Sequence, residues 1–309
     1  MTDEIHIKHV ALREWFRYQF LDKKLNTRFG YFFLLVLGIA LIYGINTLGM
    51  ITGIVVIAVF GCLLLCVATL KNPYVGFYFL LAYSSVTTTI DRLTDPPLPS
   101  GTLVEIITYF ILLSLLLKHD LKKNINIKFW THPITIGLYI LFAYYLVELF
   151  NPEMISPVGW FSFFRKQFSY FVFYYICYGL LDSRAKIIYF VRFMIILSSV
   201  LALYACKQQW FGYARFELNW IGTGNGYTLL FQGGMLRKFS VFSDPATSGI
   251  LFASIAILCL ILLIRSSSKK EKTWLGTAMV INLLGYSYSG TRTATLMIIA
   301  GILLYCIST

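Results

Sequence analysis

The chain has 309 residues, 58% of them hydrophobic and only 13% charged, with a mean hydropathy of +0.73 and a formal net charge of +12 at pH 7. A soluble domain of this length could not hide so much apolar side chain under a polar surface, and the apolar blocks lack the alternation of a transmembrane β-barrel. The positive charge comes with no recognisable domain that would present it to nucleic acid, so no nucleic-acid partner is expected.

Blocks of about 20 apolar residues cross the hydrocarbon layer as helices, because lipid leaves backbone groups no partner but one another. The expected fold is therefore all-α, a polytopic transmembrane helical bundle of about ten spans. Residues 1–29 come first as a cytoplasmic basic amphipathic segment, in which Val10, Leu12, Trp15, Phe16, Leu21 and Leu25 interleave with Arg and Lys. It reads as a membrane anchor lying on the inner surface. It carries no cleavable signal, since the apolar block begins too late and no small-residue site follows it. The first seven transmembrane helices occupy 30–206, with spans at 30–46, 50–70, 75–90, 102–118, 133–150, 166–182 and 187–206, the first two joined by a tight hairpin from Asn46 to Met50. An outer loop takes 207–246. The last three transmembrane helices fill 247–309, with spans at 247–264, 274–288 and 294–308 and an outer Ser-Gly-Thr-Arg-Thr turn before the last.

Charge sets the orientation, because Lys and Arg gather in cytoplasmic loops. With the N-terminus cytoplasmic, seventeen of the 26 basic residues fall inside and eight outside, with Arg192 within a span. The division respects every alternation, so the net charge reads mainly as a topology signal. The six cysteines lie within or at the edge of spans, where they act as small apolar residues. No CxxC or Cys/His spacing is present, so neither disulfides nor a bound metal are expected.

Four features stand out on the outer side. Within 207–246, Trp210, Tyr213, Trp220, Tyr227 and Phe231 accompany Gly222, Gly224, Gly226, Gly233 and Gly234. Such a segment could be a stacking platform for sugar rings or an interfacial aromatic belt. Its Gly-Thr-Gly-Asn-Gly stretch lacks the strand–turn–helix setting of a dinucleotide site. Next, Arg237 precedes a Phe242-Ser243-Asp244-Pro245 turn that opens a span, with Asp244 as N-cap and Pro245 at the first helical position. Third, Ser289-Gly290-Thr291-Arg292-Thr293 puts an arginine at the interface, where a charge near hydrocarbon costs on the order of 2–3 kcal/mol and is turned inward, paired or snorkelled. The last is Arg165-Lys166, just before the sixth span. Guanidinium groups fork onto phosphate, so a lipid-linked diphosphate at the outer leaflet suits a cluster of Arg165, Arg237 and Arg292.

In the order and spacing of these motifs the chain resembles the O-antigen ligase and O-antigen polymerase superfamily, multi-pass glycosyltransferases of the bacterial inner membrane. The resemblance is carried by Arg237, Phe242, Ser243, Asp244 and Pro245, an apolar span, a basic inner loop, a second span, and Ser289 to Thr293 before a third. It implies cofactor- and metal-independent transfer of a glycan from an undecaprenyl-diphosphate carrier to a glycan or lipid acceptor, in polysaccharide or lipopolysaccharide biosynthesis. It also implies that Arg237 and Arg292 bind the diphosphate, with Arg165 matching by position and Lys166, Asp244 and Ser289 supporting. The family's general base is a histidine in a large outer loop after the second arginine motif. Here His6, His9, His119 and His132 all fall on the cytoplasmic side of the expected topology. Asp244 or Glu217 is a substitute in principle, and Asp244 already reads as a cap. The departure implies that 1–309 is either the N-terminal portion of a longer protein or a truncated, inactive copy. The competing classes are a transporter or flippase for lipid-linked sugars and a non-catalytic membrane assembly subunit. Against transport stand the lack of an internal repeat and the few mid-membrane charges, Glu105, Glu148 and Arg192.

Overall fold

A computed structural model describes residues 50–93, 100–117, 127–151, 156–223 and 225–308, with scattered residues between 31 and 46. The expected amphipathic segment 1–29 and the hairpin at Asn46 to Met50 lie outside the described residues, and the span at 30–46 falls only partly within them. The chain divides into two units, Met1–Val67 and Ala68–Thr309. The first contributes most of helix α1 (Met50–Lys71), whose Cys62 and Cys66 are free thiols one turn apart.

Among the described residues the second unit is built of helices and one short hairpin. Its elements are α2 (Pro73–Leu93), α3 (Ser100–Leu117), α4 (Ile127–Trp130), α5 (Pro133–Glu148), α6 (Pro157–Leu180), α7 (Arg184–Trp210), α8 (Arg215–Gly222), α9 (Asn225–Leu230), β1 (Phe231–Gln232), β2 (Met235–Leu236), α10 (Pro245–Arg265), α11 (Lys269–Ser289) and α12 (Arg292–Ser308). Three of these, α3, α7 and α10, are long and apolar enough to cross a membrane. The others are shorter or carry polar stretches, such as Ser84 to Thr89 in α2 and Lys269 to Lys272 in α11. The side chains of Ile140, Val147, Leu304 and Ile307 are all more than 60% exposed. Apolar groups on that scale belong in contact with lipid rather than water.

Local sequence explains where the helices begin. Pro sits in the first turn of α5, α6 and α10, where its missing N–H costs nothing, and His132, Ser156 and Asp244 each accept a backbone N–H as cap. At α6 this start signal corrects the expected boundary. The helix begins at Pro157 rather than 166, so Arg165 and Lys166 lie two turns inside it instead of on a preceding loop. Arg165 is tolerated there because Glu105 of α3, itself only 6% exposed, faces its Nε at 2.9 Å. The N–H does not align on that oxygen as a hydrogen bond.

Among the described residues the helices pack into two main core regions, with a smaller cluster of Ile221, Leu230 and Phe239 beside them. Phe77, Leu80, Ile111, Leu115, Val172 and Ile176 join α2, α3 and α6. Helices α7, α10 and α11 meet through Ile195, Cys259 and Leu275 towards one end and through Ala202 and Phe252 nearer the other. Gly285 of α11 permits this crossing: a Cβ there would stand 2.8 Å from the Ala202 methyl. Asn282 of α11 knits the same interface, accepting from Ser198 Oγ (2.6 Å) and donating to Ser199 Oγ (3.0 Å). The short connections 181–183 and 266–268 lie at one end of the bundle. The segment 211–244 and the Ser289–Arg292 turn lie at the other, and the candidate site is there.

Candidate functional site

At that end the chain leaves α7 and folds back in pieces. α8 starts after Ala214, whose N–H donates to Glu217 Oε2 at 2.6 Å. The hairpin turns at Gly233 and Gly234, both with positive φ (61° and 81°), the combination demanded by a two-residue turn that follows strand twist. Beyond it, residues 239–243 dip into the bundle. Ser240 is fully buried at φ 56°, a left-handed conformation that costs a non-glycine residue about 1–2 kcal/mol. Polar contacts offset that cost. Gln208 of α7 accepts from Ser240 N–H and donates to Ser240 O, both at 2.9 Å, while Ser240 Oγ donates to Leu201 O at 2.6 Å.

This fold-back delivers Arg237 to the turn between α11 and α12. Its Nε donates to Ser289 O (2.7 Å), Nη2 to Thr291 Oγ1 (3.0 Å) and Nη1 to Gln232 Oε1 (2.7 Å). Lys238 N–H donates to Tyr288 O at 3.1 Å, which extends the junction by a backbone bond. The Thr291 hydroxyl in turn donates to Pro245 O (2.9 Å), tying the turn to the first residue of α10. Gly290 caps α11 in the left-handed region (φ 61°, ψ 29°), as a helix C-cap favours. Gly249 of α10 lets the turn come close, since a Cβ there would collide with Ser289 Oγ and stand 2.7 Å from Thr291 Oγ1.

The fixed turn presents Arg292 as the first residue of α12. Its side chain is exposed and has no hydrogen-bond or ion-pair partner among the described residues. Cations are disfavoured beside a helix N-terminus, whose free N–H groups attract anions. An unpaired guanidinium there strengthens the attraction for a negatively charged group.

The expected site residues therefore separate. Arg237, Ser289 and Arg292 come together, as do Asp244 and the start of α10, tied in through Pro245. Arg165 belongs to a different contact, with Glu105, and shares no partner with Arg237. Lys166 is exposed on α6. Asp244 is the expected cap: Thr247 N–H (2.8 Å), Thr247 Oγ1 (2.7 Å) and Ser243 Oγ (2.9 Å) all donate to it. Burial pushes its carboxyl up, but these hydrogen bonds together with that of Ala246 N–H hold it below the usual value. A carboxylate so held is a poor proton acceptor. Glu217 is 1% exposed and receives Tyr204 Oη, Gln208 Nε2 and Ala214 N, so its oxygens are turned into the protein and committed there. His132 accepts Ile134 N–H as the cap of α5, while His6, His9 and His119 lie outside the described residues.

The aromatic segment is partly structural. Tyr213 stacks on Phe239 (5.8 Å, 10°) and donates to Arg237 O at 3.1 Å. Burial, aided by Glu217, pushes the Tyr213 hydroxyl up to about 12, so it keeps its proton and its donor role at any ordinary pH. Tyr227 and Phe231 stack on each other and remain exposed.

Sequence reasoning missed Arg92, counted only as one outer charge. Its guanidinium lies over Trp220 (3.8 Å) and Phe239 (4.5 Å), and Nη2 donates to Ser243 O at 3.1 Å. Its signal was the polar run Ser84 to Arg92 at the end of a span. Among the described residues no group of three or more His, Cys, Asp or Glu is placed to hold a metal. No family model, no curated protein and no solved structure matches the chain.

Proposed function

We propose that the chain is a polytopic membrane glycosyltransferase of the O-antigen ligase or polymerase kind, in a bacterial inner membrane, with about ten spans and its N-terminus cytoplasmic. In this reading Arg292 binds the diphosphate of an undecaprenyl-linked glycan at the outer face. Arg237 fixes the turn that presents Arg292, and its two remaining N–H groups are free for the same anion. The observation that carries the proposal is an unpaired, exposed arginine at a helix N-terminus, braced by a second arginine. The developing charge on a diphosphate leaving group would be stabilised by such fixed donors, without a metal.

The test is Arg292→Lys in the cells that carry the protein. Lysine keeps the charge but cannot fork onto two phosphate oxygens. Glycan transfer, read as polymer or ligated product on gels, should fall by about 10²-fold or more, the scale of losing one such donor, at unchanged membrane abundance. Normal glycan display in that variant rejects the diphosphate role.

A further inference from the structure

A cleft of about 400 Å³ opens between α2, α7 and the start of α10. Its size falls within the roughly 300–1,000 Å³ of small-ligand sites. Tyr78 and Phe193, which precede lining residues of α2 and α7, bring those two helices together through a ring contact at 4.8 Å. α2 is also joined to the 239–243 loop by Thr89 Oγ1 donating to Val241 O (2.9 Å) and by Arg92 donating to Ser243 O.

The lining has an unusual chemistry for an apolar bundle. Ser84, Ser85, Thr88, Ser198, Ser243 and Thr247 supply hydroxyls, the other lining residues are apolar, and no charged side chain is among them. Five of these hydroxyls have already committed their protons. Ser84 and Ser85 donate to Leu81 O, Ser198 to Asn282 Oδ1, and Ser243 and Thr247 to Asp244 Oδ2. What they offer the cleft is lone pairs. Thr88 is unpaired among the described residues and can act either way.

We propose that this cleft binds an uncharged sugar ring. Its hydroxyls would donate to the committed oxygens, and its C–H face would lie on Phe242 and the leucines. A phosphate would meet lone pairs with the Asp244 carboxylate behind them and no lining cation. An alkyl or polyprenyl chain would leave the Thr88 hydroxyl, unpaired among the described residues, without a hydrogen bond and would use none of the exposed lone pairs. The assignment rests on the lining of the cleft and does not require the diphosphate reading, which concerns the opposite side of the first turn of α10.

The experiment titrates the full chain, purified into lipid nanodiscs, with methyl glycosides of glucose, galactose, rhamnose and N-acetylglucosamine, and reads binding by saturation-transfer NMR. At least one glycoside should bind in the millimolar range. Thr88→Val combined with Ser84→Ala should weaken it about tenfold with an unchanged unfolding temperature, and Ser85→Ala serves the same purpose if the pair fails to fold. Polyprenyl phosphate should not displace the sugar, and Arg292→Lys should retain it. The proposal is overturned if no glycoside binds, if the substitutions leave affinity intact, or if polyprenyl phosphate competes. Retained sugar binding beside normal transfer by Arg292→Lys would instead remove only the diphosphate reading.

Discussion

Arg237 commits three of its N–H groups to protein atoms, whereas Arg292 has no protein partner among the described residues, and this sets opposite expectations for substitution. Charge-assisted hydrogen bonds contribute about 1.5–3 kcal/mol each when buried, and Arg237 is only half-buried. Arg237→Ala should therefore destabilise by about 2 kcal/mol in all. Arg292→Ala should stay within about 0.5 kcal/mol, as exposed substitutions do. Thermal unfolding of the two purified variants side by side checks the division, and equal losses would refute it. Asp244 adds a pH dependence. Its carboxyl is held below its unfolded value, so its cap contributes fully above about pH 4. That contribution is lost as the pH falls through the folded value. Asp244→Asn caps without titrating, so the stability advantage of the native chain over this variant should shrink below about pH 4. A pH-independent difference between the two would show that the charged form is not what the hydrogen bonds favour.

The junction of α10, α11 and α12 depends on two glycines for different reasons. Gly249 is needed for space: Ala there must push against Ser289 Oγ and Thr291 Oγ1, and overpacking of this kind costs about 1–3 kcal/mol. Gly290 is needed for conformation. No atom crowds its Cβ position more closely than Arg237 Nε at 3.5 Å, so Gly290→Ala should cost about 1–2 kcal/mol from its left-handed φ alone. Because Gly249→Ala displaces Thr291, it should also loosen the Arg237 contact, and Arg237→Ala added to it should then cost less than it does in the native background. Additive losses in that double-mutant cycle would show that α10 and the turn are independent. Sequence made the two flanks of this junction visible, because Asp244-Pro245 and Gly290 are local cap signals. It did not show Gly249 as special, since a close approach depends on which helix passes by.

The same contrast between local and distant causes runs through the whole bundle. Helix starts at Pro133 and Pro245 lie within two residues of the expected spans. The start of α6 was misplaced because Arg165 looked like a loop residue until Glu105, far back in the chain, supplied its partner. Arg92 was legible only as a charge, since its aromatic neighbours Trp220 and Phe239 come from a segment brought back by folding. Orientation is the molecular property on which the proposed function depends most. α7, at 27 residues, is about 40 Å long, roughly 10 Å more than a bilayer core. In the proposed orientation the cytoplasmic end of the bundle is the one rich in Lys and Arg: Arg184 and Lys186 begin α7, and Arg265, Lys269, Lys270 and Lys272 flank the 266–268 connection. The segment holding Gly226 and the connection holding Ser267 are separated by α10, one of three helices among the described residues that are long and apolar enough to cross a membrane. Reporter fusions at the two positions should therefore report opposite sides, Gly226 outside and Ser267 inside. The same side for both would mean that α10 does not cross. The reverse order would put Arg292 in the cytoplasm, where an outer-leaflet glycan carrier cannot reach it.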